Sequence, residues 1–262
     1  MLKKITLCSM VAMLCGGSSL ALAHTGVKDQ ATEGKTLYTA FTIGHGCAAA
    51  EGDTTIPVIA QSAVFPNSAD AVAHKIVTNT DNTTTETVID DLSTEIQGAV
   101  GGAVVGLSPG GVQDTNVFKA IKEVPDANGN VLALQFTNGK LQTDLVGLTQ
   151  FKVSGIKFQP TSCAKSLKVR IAVANWCKKT QNSNDDARVD LWFGHPTTLF
   201  NDGGVMPSNY ATAPYWTTLT VNRDLTANPL PTTCETTYDV ASEPSDDDID
   251  TKLPIKGYWP TP

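Results

Sequence analysis

Four histidines hold most of the metal-binding capacity of this sequence: His24, His45, His74 and His195. His24 directly follows Ala21-Leu22-Ala23, a small-x-small tripeptide that is typical of signal-peptide cleavage sites. Cleavage after Ala23 makes His24 the first residue, and its α-amine and ring Nδ1 can then chelate one ion together. Two nitrogens from one residue, completed by an imidazole from elsewhere, favour Cu(II). We therefore predict one copper ion per chain, bound at the new terminus.

Two other histidines compete for the role of the next ligand. His45 lies in "IGHGC" between two glycines, which allow close approach of the backbone to a ligand. His195 lies in "LWFGHP", just after a predicted strand that carries Trp192, an aromatic side chain that can exclude water beside a metal. The alternatives are a structural turn histidine at position 45 and a tryptophan that is only part of the core. His74, in "AVAHKIV", has apolar neighbours and is predicted to be structural.

The N-terminal residues predict export. Lys3 and Lys4 precede an apolar run from Ile5 to about Leu14, so residues 1–23 are interpreted as a signal peptide. This run is too short for a membrane span, and no later segment reaches the ~20 apolar residues that a span needs. A lipid anchor at Cys15 is the competing outcome, although Leu14 stands where such processing prefers a small residue. We expect a periplasmic, secreted or cell-surface bacterial protein with no membrane span after processing.

The charge balance excludes one class of partner. The chain carries 26 acidic and 19 basic residues, for a net charge of −7. Its lysines are scattered, so nothing in the sequence concentrates positive charge against phosphates, and nucleic-acid binding is not expected.

Cysteine usage agrees with export. Cys8 and Cys15 belong to the signal peptide, which leaves Cys47, Cys163, Cys177 and Cys234. Four cysteines in an oxidising compartment predict two disulfides, with three possible connectivities. No CxxC pair occurs, which argues against a zinc knuckle or a thioredoxin-like site.

Strand signals dominate the rest of the chain. Short runs rich in Val, Ile, Thr and Phe alternate with Gly, Pro, Asn and Asp, which predicts an all-β, antiparallel β-sandwich of immunoglobulin-like or cupredoxin-like type. The sandwich is predicted over residues 24–240 with an insertion near 72–124, and an acidic, proline-rich and solvated tail is predicted over 241–262. Val88–Ile96 is predicted as a short helix, and the glycine-rich stretch Ile96–Val112 as a loop or kinked strand.

Several segments resemble the YcnI-like copper-binding domains. The start "AHTG", then "GKTLYTAFTIGHGC" and "TTIPVIAQSAVFP", resemble the opening of that family. "LQFTNGKL", "LTQFKVSGIKF", "VRIAVANWCKK" and "ARVDLWFG" resemble its later segments. Together these pieces cover about half of the mature chain.

The resemblance implies a fold and a site. Members of this family are exported β-sandwiches that bind copper through the terminal histidine's amine and ring, a carboxylate and a nearby tryptophan. His24 and Trp192 match the histidine and the tryptophan, whereas Thr149–Phe151 offers hydroxyl and amide groups where the carboxylate is expected. The second ligand is therefore left open between His45 and His195. The resemblance also implies the disulfides Cys47–Cys177 and Cys163–Cys234.

These features favour a copper carrier, buffer or chaperone over a catalyst. Such a protein would pass the metal to a membrane or periplasmic acceptor. The first alternative is a copper-dependent polysaccharide monooxygenase, for which Tyr210, Tyr215 and Trp216 would form a carbohydrate platform. The second is a metal-free surface adhesin or matrix module built from threonine-rich strands. Met206 alone is weak support for a Cu(I) site.

Overall fold

The fold is built almost entirely from strands. The computed structural model describes residues 25–48, 53–114, 116–185, 187–201 and 216–260. The strands in these residues are β1 (Gly26–Val27), β2 (Ala31–Thr32), β3 (Leu37–Ile43), β4 (Ala60–Val64), β5 (Val72–Thr78), β6 (Thr84–Ile89), β7 (Gly110–Gly111), β8 (Phe118–Pro125), β9 (Val131–Gly139), β10 (Gly147–Val153), β11 (Ala164–Trp176), β12 (Val189–Trp192), β13 (Thr217–Asn222) and β14 (Tyr238–Glu243). The helical elements are 3₁₀ turns at Leu92–Thr94 and Val105–Leu107 and the helix α1 (Asp246–Lys252).

The strands form two sheets. The small sheet has the order β1-β3-β10-β7, and the large sheet has the order β6-β5-β14-β11-β4-β9-β8, with β12 and β13 also paired to β11. The predicted β-sandwich is confirmed. Its pairing is antiparallel except for β14 on β11 and β2 on β13, which run parallel. The segment that contains β12 and β13 connects β11 to β14 and provides the long crossover that a parallel pair requires.

The core between the sheets is rich in phenylalanine. Strand β10 alternates strictly between buried and exposed residues, as expected for a strand with one face on the core. Phe41 and Phe151 stack with ring centroids 4.3 Å apart, and Phe65 and Phe136 close the cluster at 6.2 and 6.4 Å from Phe41. Burial of these rings stabilises the packing of one sheet on the other.

Strand β11 is the axis of the fold. The first half of this strand lies between β13 and β14, and its second half lies between β12 and β4. Val173 faces the core between the sheets, whereas Ala172, Ala174 and Trp176 face a second apolar cluster on the outer side of the large sheet. Burial on both faces explains the nearly continuous apolar run in "IAVANW".

Most predicted strands are confirmed, and the predicted helix is only partly right. The "DANGN" segment closes the β8–β9 hairpin, with the Asp126 amide donating to the carbonyl of Asn130 over 2.8 Å. Within the predicted helix Val88–Ile96, β6 continues to Ile89, and only Leu92–Thr94 is helical. This turn starts where Asp91 accepts a hydrogen bond from the Ser93 amide at 2.9 Å.

The acidic segment near the C-terminus differs from the predicted solvated tail. Residues 241–243 complete β14, and α1 follows directly. Ile249 and Leu253, four residues apart on one face of the helix, are buried in the outer apolar cluster. Ser245 caps the helix by accepting a hydrogen bond from the Asp248 amide. The aspartates therefore occupy the first turn, where they favour the helix dipole, and the apolar stripe anchors the segment.

Two disulfides cross-link the described residues. Cys47 is bonded to Cys177 and Cys163 to Cys234, so the predicted pairing is confirmed. Disulfides of this kind are typical of exported proteins. Among the described residues, no helix is both long enough and apolar enough to cross a bilayer.

Candidate functional site

Thr25, the residue next to the predicted mature terminus, is fixed in the protein interior. It is 3% exposed. Its Oγ1 accepts a hydrogen bond from Nδ2 of Asn175 at 2.7 Å, and its carbonyl accepts one from Oγ1 of Thr217 at 2.9 Å. His24 itself lies outside the described residues. The chain just after His24 is therefore held by two strands, β11 and β13.

The bond to Thr25 is one end of a row of buried polar side chains. Oδ1 of Asn175 accepts a hydrogen bond from Nε2 of Gln61 at 2.8 Å, and Oε1 of Gln61 accepts one from the hydroxyl of Thr149. All four residues are buried. The row begins at Thr149 in the small sheet and ends at Thr25 over the large sheet. Buried polar groups that are fully paired fix one arrangement of the surrounding strands.

Asp190 lies beside this row. It is the cross-strand partner of Asn175 in the antiparallel β11–β12 pair, so both side chains project from the same face of the sheet. Its side chain is largely buried, and Oδ2 has no hydrogen-bond donor among the described residues. Burial raises the pKa of Asp190 to about 6, and the nearby His45 partly offsets that shift.

His45 faces Asp190 from the loop after β3. Its Nδ1 lies 3.8 Å from Oδ2 of Asp190 and also contacts the carbonyl of Gly46. The ring is 38% exposed, so it is accessible from solvent. A separation of 3.8 Å is too long for a hydrogen bond, but two ligands of one ion bound at about 2.0–2.2 Å can lie this far apart.

The backbone that follows His45 is held in place by its neighbours. A Cβ at Gly46 would overlap the carbonyl of Ile56, so only glycine fits at this position. Cys47 pairs with Ile56 in a short β-bridge and is bonded to Cys177 at the end of β11. The disulfide therefore attaches the His45 loop to the end of β11, the strand that also carries Asn175.

Trp192 lies in the same strand as Asp190. The two residues are two positions apart in β12, so their side chains share the face that points to the core between the sheets. Trp192 packs against that core from a partly buried position. It therefore lies on the same face of β12 as Asp190, and its role beside a metal stays a prediction.

His195 makes a different set of contacts. Its Nε2 lies 2.7 Å from Oδ1 of Asp246 at the start of α1, and its ring packs edge-on against Trp216 with centroids 5.8 Å apart. Trp216 also packs against Phe193, with centroids 6.4 Å apart. The described contacts of His195 therefore include neither His45 nor Asp190. Tyr210, Tyr215 and Met206 lie outside the described residues.

His74 belongs to a compact ion network on the outer face of the large sheet. Its two ring nitrogens lie 3.0 Å from Glu86 and 3.1 Å from Glu243, and Arg170 contacts both carboxylates at 2.6–2.8 Å. Burial raises the pKa of Glu243, but bonds from His74 and Arg170 outweigh it and leave that pKa lowered. This arrangement pairs every carboxylate with a cation, which agrees with the predicted structural role of His74.

The described residues hold a pair of side chains whose atoms are of a kind that ligates metal ions. They contain no group of three or more His, Cys, Asp or Glu side chains arranged to hold a metal ion. The His45–Asp190 pair nevertheless offers an imidazole and a carboxylate, and the carboxylate atom Oδ2 lacks a hydrogen-bond donor among these residues. These donors are of a kind that Cu(II) accepts, so the pair fits the ion as two of its ligands.

Asp190 was not predicted from the sequence. The resemblance places the expected carboxylate near Thr149, but the Thr149 hydroxyl donates to Gln61 in the buried row. The available signal was the alternation in "RVDLWF", where an acid stands at the strand position that shares a face with Trp192. An aspartate flanked by Val189 and Leu191 is unusual in a buried strand and points to a specific role.

Comparison with known proteins found no matching family model, no similar curated protein and no similar solved structure. The YcnI-like resemblance therefore stays an expectation from the sequence.

Proposed function

We propose that this protein is an exported copper-binding protein that carries, buffers or delivers the ion. The observation that supports this proposal most is the anchoring of Thr25 to Asn175, the cross-strand neighbour of Asp190. A trans peptide bond holds consecutive Cα atoms 3.8 Å apart. Fixing Thr25 therefore limits the reach of the amine and ring of His24 to the neighbourhood of this face.

The proposed ligand set combines groups from three parts of the chain. After cleavage behind Ala23, His24 contributes its α-amine and ring nitrogen. His45 contributes an imidazole from a solvent-accessible loop, and Asp190 contributes a carboxylate from β12. A set of three nitrogens and one oxygen matches the tetragonal preference of Cu(II). Trp192 shields the buried side of this site.

A carrier role follows from how the ligands are held. Asp190 and His45 are fixed by a strand and a disulfide-linked loop, whereas the other nitrogens come from a chain end that an acceptor protein can approach. A ligand set with one terminal chelate can be assembled and released stepwise, which suits transfer of the ion. We propose a periplasmic or secreted location and a copper-accepting membrane or periplasmic protein as the partner.

The proposal is tested on secreted, metal-free protein. Mass spectrometry is expected to find a chain that begins at His24, and titration with Cu(II) is expected to saturate at one ion per chain. Electron paramagnetic resonance is expected to report nitrogen coordination. A chain that begins at His24 but takes up no Cu(II) would overturn the proposal.

A further inference from the structure

A groove on the outer face of the large sheet collects lysines. It has a volume of about 460 Å³ and runs between the β8–β9 hairpin and the segment after α1. This volume lies in the range of small-molecule sites, about 300–1,000 Å³. Four lysines from three parts of the chain line it: Lys122 from β8, Lys179 after β11, and Lys252 and Lys256 at and just after the end of α1.

The charge of this groove is opposite to that of the protein. Acidic residues outnumber basic ones by 26 to 19 in the chain, yet no aspartate or glutamate lines the groove. Within the described residues, none of the four lysines forms an ion pair. The adjacent Lys178 does form an ion pair, with Asp185 at 3.3 Å, whereas Lys179 forms none among the described residues. The groove is therefore a local positive field on an acidic molecule.

The floor of the groove is apolar and firmly held. Ile255 and Tyr258 are 6% and 8% exposed, and both belong to the outer apolar cluster under α1. Nε2 of Gln135 donates to the carbonyls of Lys252 and Pro254 at 3.4 and 3.1 Å, which ties the C-terminal segment to β9. The walls of the groove are therefore the β8–β9 strand pair and the packed segment after α1.

The lysines are placed around this floor. Lys122 is the cross-strand partner of Gln135, and Lys252 ends α1. The stem of Lys179 passes over Gly257, where an added Cβ would lie 3.3 Å from its Cε. Ammonium groups from separate elements therefore surround one apolar surface, with the hydroxyl of Thr137 and the amide of Asn138 at the same rim.

We propose that this groove binds a small organic polyanion with two or more carboxylate or phosphate groups on a short carbon skeleton. Several ammonium groups around one space repel each other, and a multivalent anion that bridges them relieves this repulsion. The apolar floor suits the carbon skeleton, and the amide and hydroxyl groups suit its remaining polar atoms. Polycarboxylates and phosphate esters both carry several negative charges on a carbon skeleton, and the experiment below distinguishes between them.

The groove is independent of the candidate copper site. Gln135 projects from the outer face of the large sheet, whereas its neighbour Phe136 lies in the core between the sheets, on the side of Asn175 and Asp190. A ligand in the groove therefore contacts none of the proposed copper ligands among the described residues. An experiment can therefore contradict the anion-binding proposal while the copper proposal stands, and the reverse is also true.

The test is calorimetric titration of metal-free protein at low ionic strength. The probes are propane-1,2,3-tricarboxylate, propane-1,3-diyl bisphosphate and the uncharged triamide of the first compound. We expect saturable binding of one or both anions and none of the triamide, and we expect added NaCl to weaken binding. The tighter anion identifies the ligand as a carboxylate or a phosphate compound.

Two double variants make the test specific. K122Q/K252Q is expected to weaken anion binding at least about tenfold, because two of the four surrounding charges are lost. K35Q/K165Q removes the same charge from exposed positions outside the groove and is expected to bind like the wild type. Thermal unfolding of both variants checks that the fold is retained. Absence of saturable anion binding, or an equal effect of the two double variants, would overturn the proposal.

Discussion

Asn175 donates a hydrogen bond from Nδ2 to Oγ1 of Thr25 across 150 residues of sequence, and the two atoms lie 2.7 Å apart. The bond fixes Thr25, the second residue of the predicted mature chain, to the central strand of the large sheet. On the neighbouring strand, Asp190 stands opposite Asn175. The proposed metal site therefore depends on where the chain begins as much as on side chains deep in the sandwich.

The first prediction concerns the choice between two histidines. His45→Ala is expected to weaken Cu(II) binding at least about tenfold, because the variant lacks the imidazole that faces Asp190. His195→Ala is the matched control and is expected to bind normally, since the described partners of His195 are Asp246 and Trp216. Competition titrations with a chromogenic copper chelator measure both. A larger loss of Cu(II) affinity in the His195 variant than in the His45 variant would show that His195, and not His45, is the copper ligand.

The second prediction concerns the carboxylate and its pH dependence. Burial raises the pKa of Asp190 from 3.8 to about 6, so the native state retains the proton more tightly than the unfolded chain does. The free energy of unfolding therefore loses this contribution as pH rises from about 4 to about 6. Asp190→Asn is expected to be more stable than the wild type at pH 7, by on the order of 1–2 kcal/mol, with no gain at pH 3.5.

The same substitution is expected to change copper binding in the opposite direction. Asp190→Asn removes a charged ligand, so Cu(II) affinity at pH 7 falls while stability rises. In the wild type, affinity is expected to decline as pH falls through about 6, because protons then compete with the ion for Asp190. Urea unfolding and copper titration between pH 3.5 and 8 measure the two quantities. Unchanged affinity in the variant would remove Asp190 from the ligand set.

The third prediction separates the two disulfides. Replacing either cysteine pair with alanine is expected to lower the free energy of unfolding by about 2–5 kcal/mol. Only the loss of Cys47–Cys177 is expected to weaken copper binding as well, because that bond holds the His45 loop against β11. Loss of Cys163–Cys234 serves as the control. Equal copper affinity in the two folded variants would show that the loop needs no such support.

The sequence predicts this fold better than it predicts the site. Alternation in segments such as "LTQFKV" identifies strands locally, since one face of each strand meets the core. The parallel pairing of β14 with β11 depends on a long connection and leaves no local pattern. The acidic segment was interpreted as a solvated tail because its aspartates outnumber Ile249 and Leu253, yet those two residues anchor α1.

The candidate site shows why long-range contacts are the hardest to predict. His45 and the two disulfide pairs were identified from residue types and from a resemblance. Asp190 was not, because its proximity to His45 results from strand pairing and from the Cys47–Cys177 bond, which join segments far apart in the chain. The function of Asn175 likewise depends on Thr25, 150 residues before it.

The most direct test of the central claim changes only the start of the chain. Cu(II) affinity is measured for protein that begins at His24 and for protein that retains Ala23 in front of it. An added residue converts the terminal amine to an amide and removes the chelate, so we expect one tightly bound Cu(II) in the first protein and at least about hundredfold weaker binding in the second. Equal affinity of the two proteins would contradict the account.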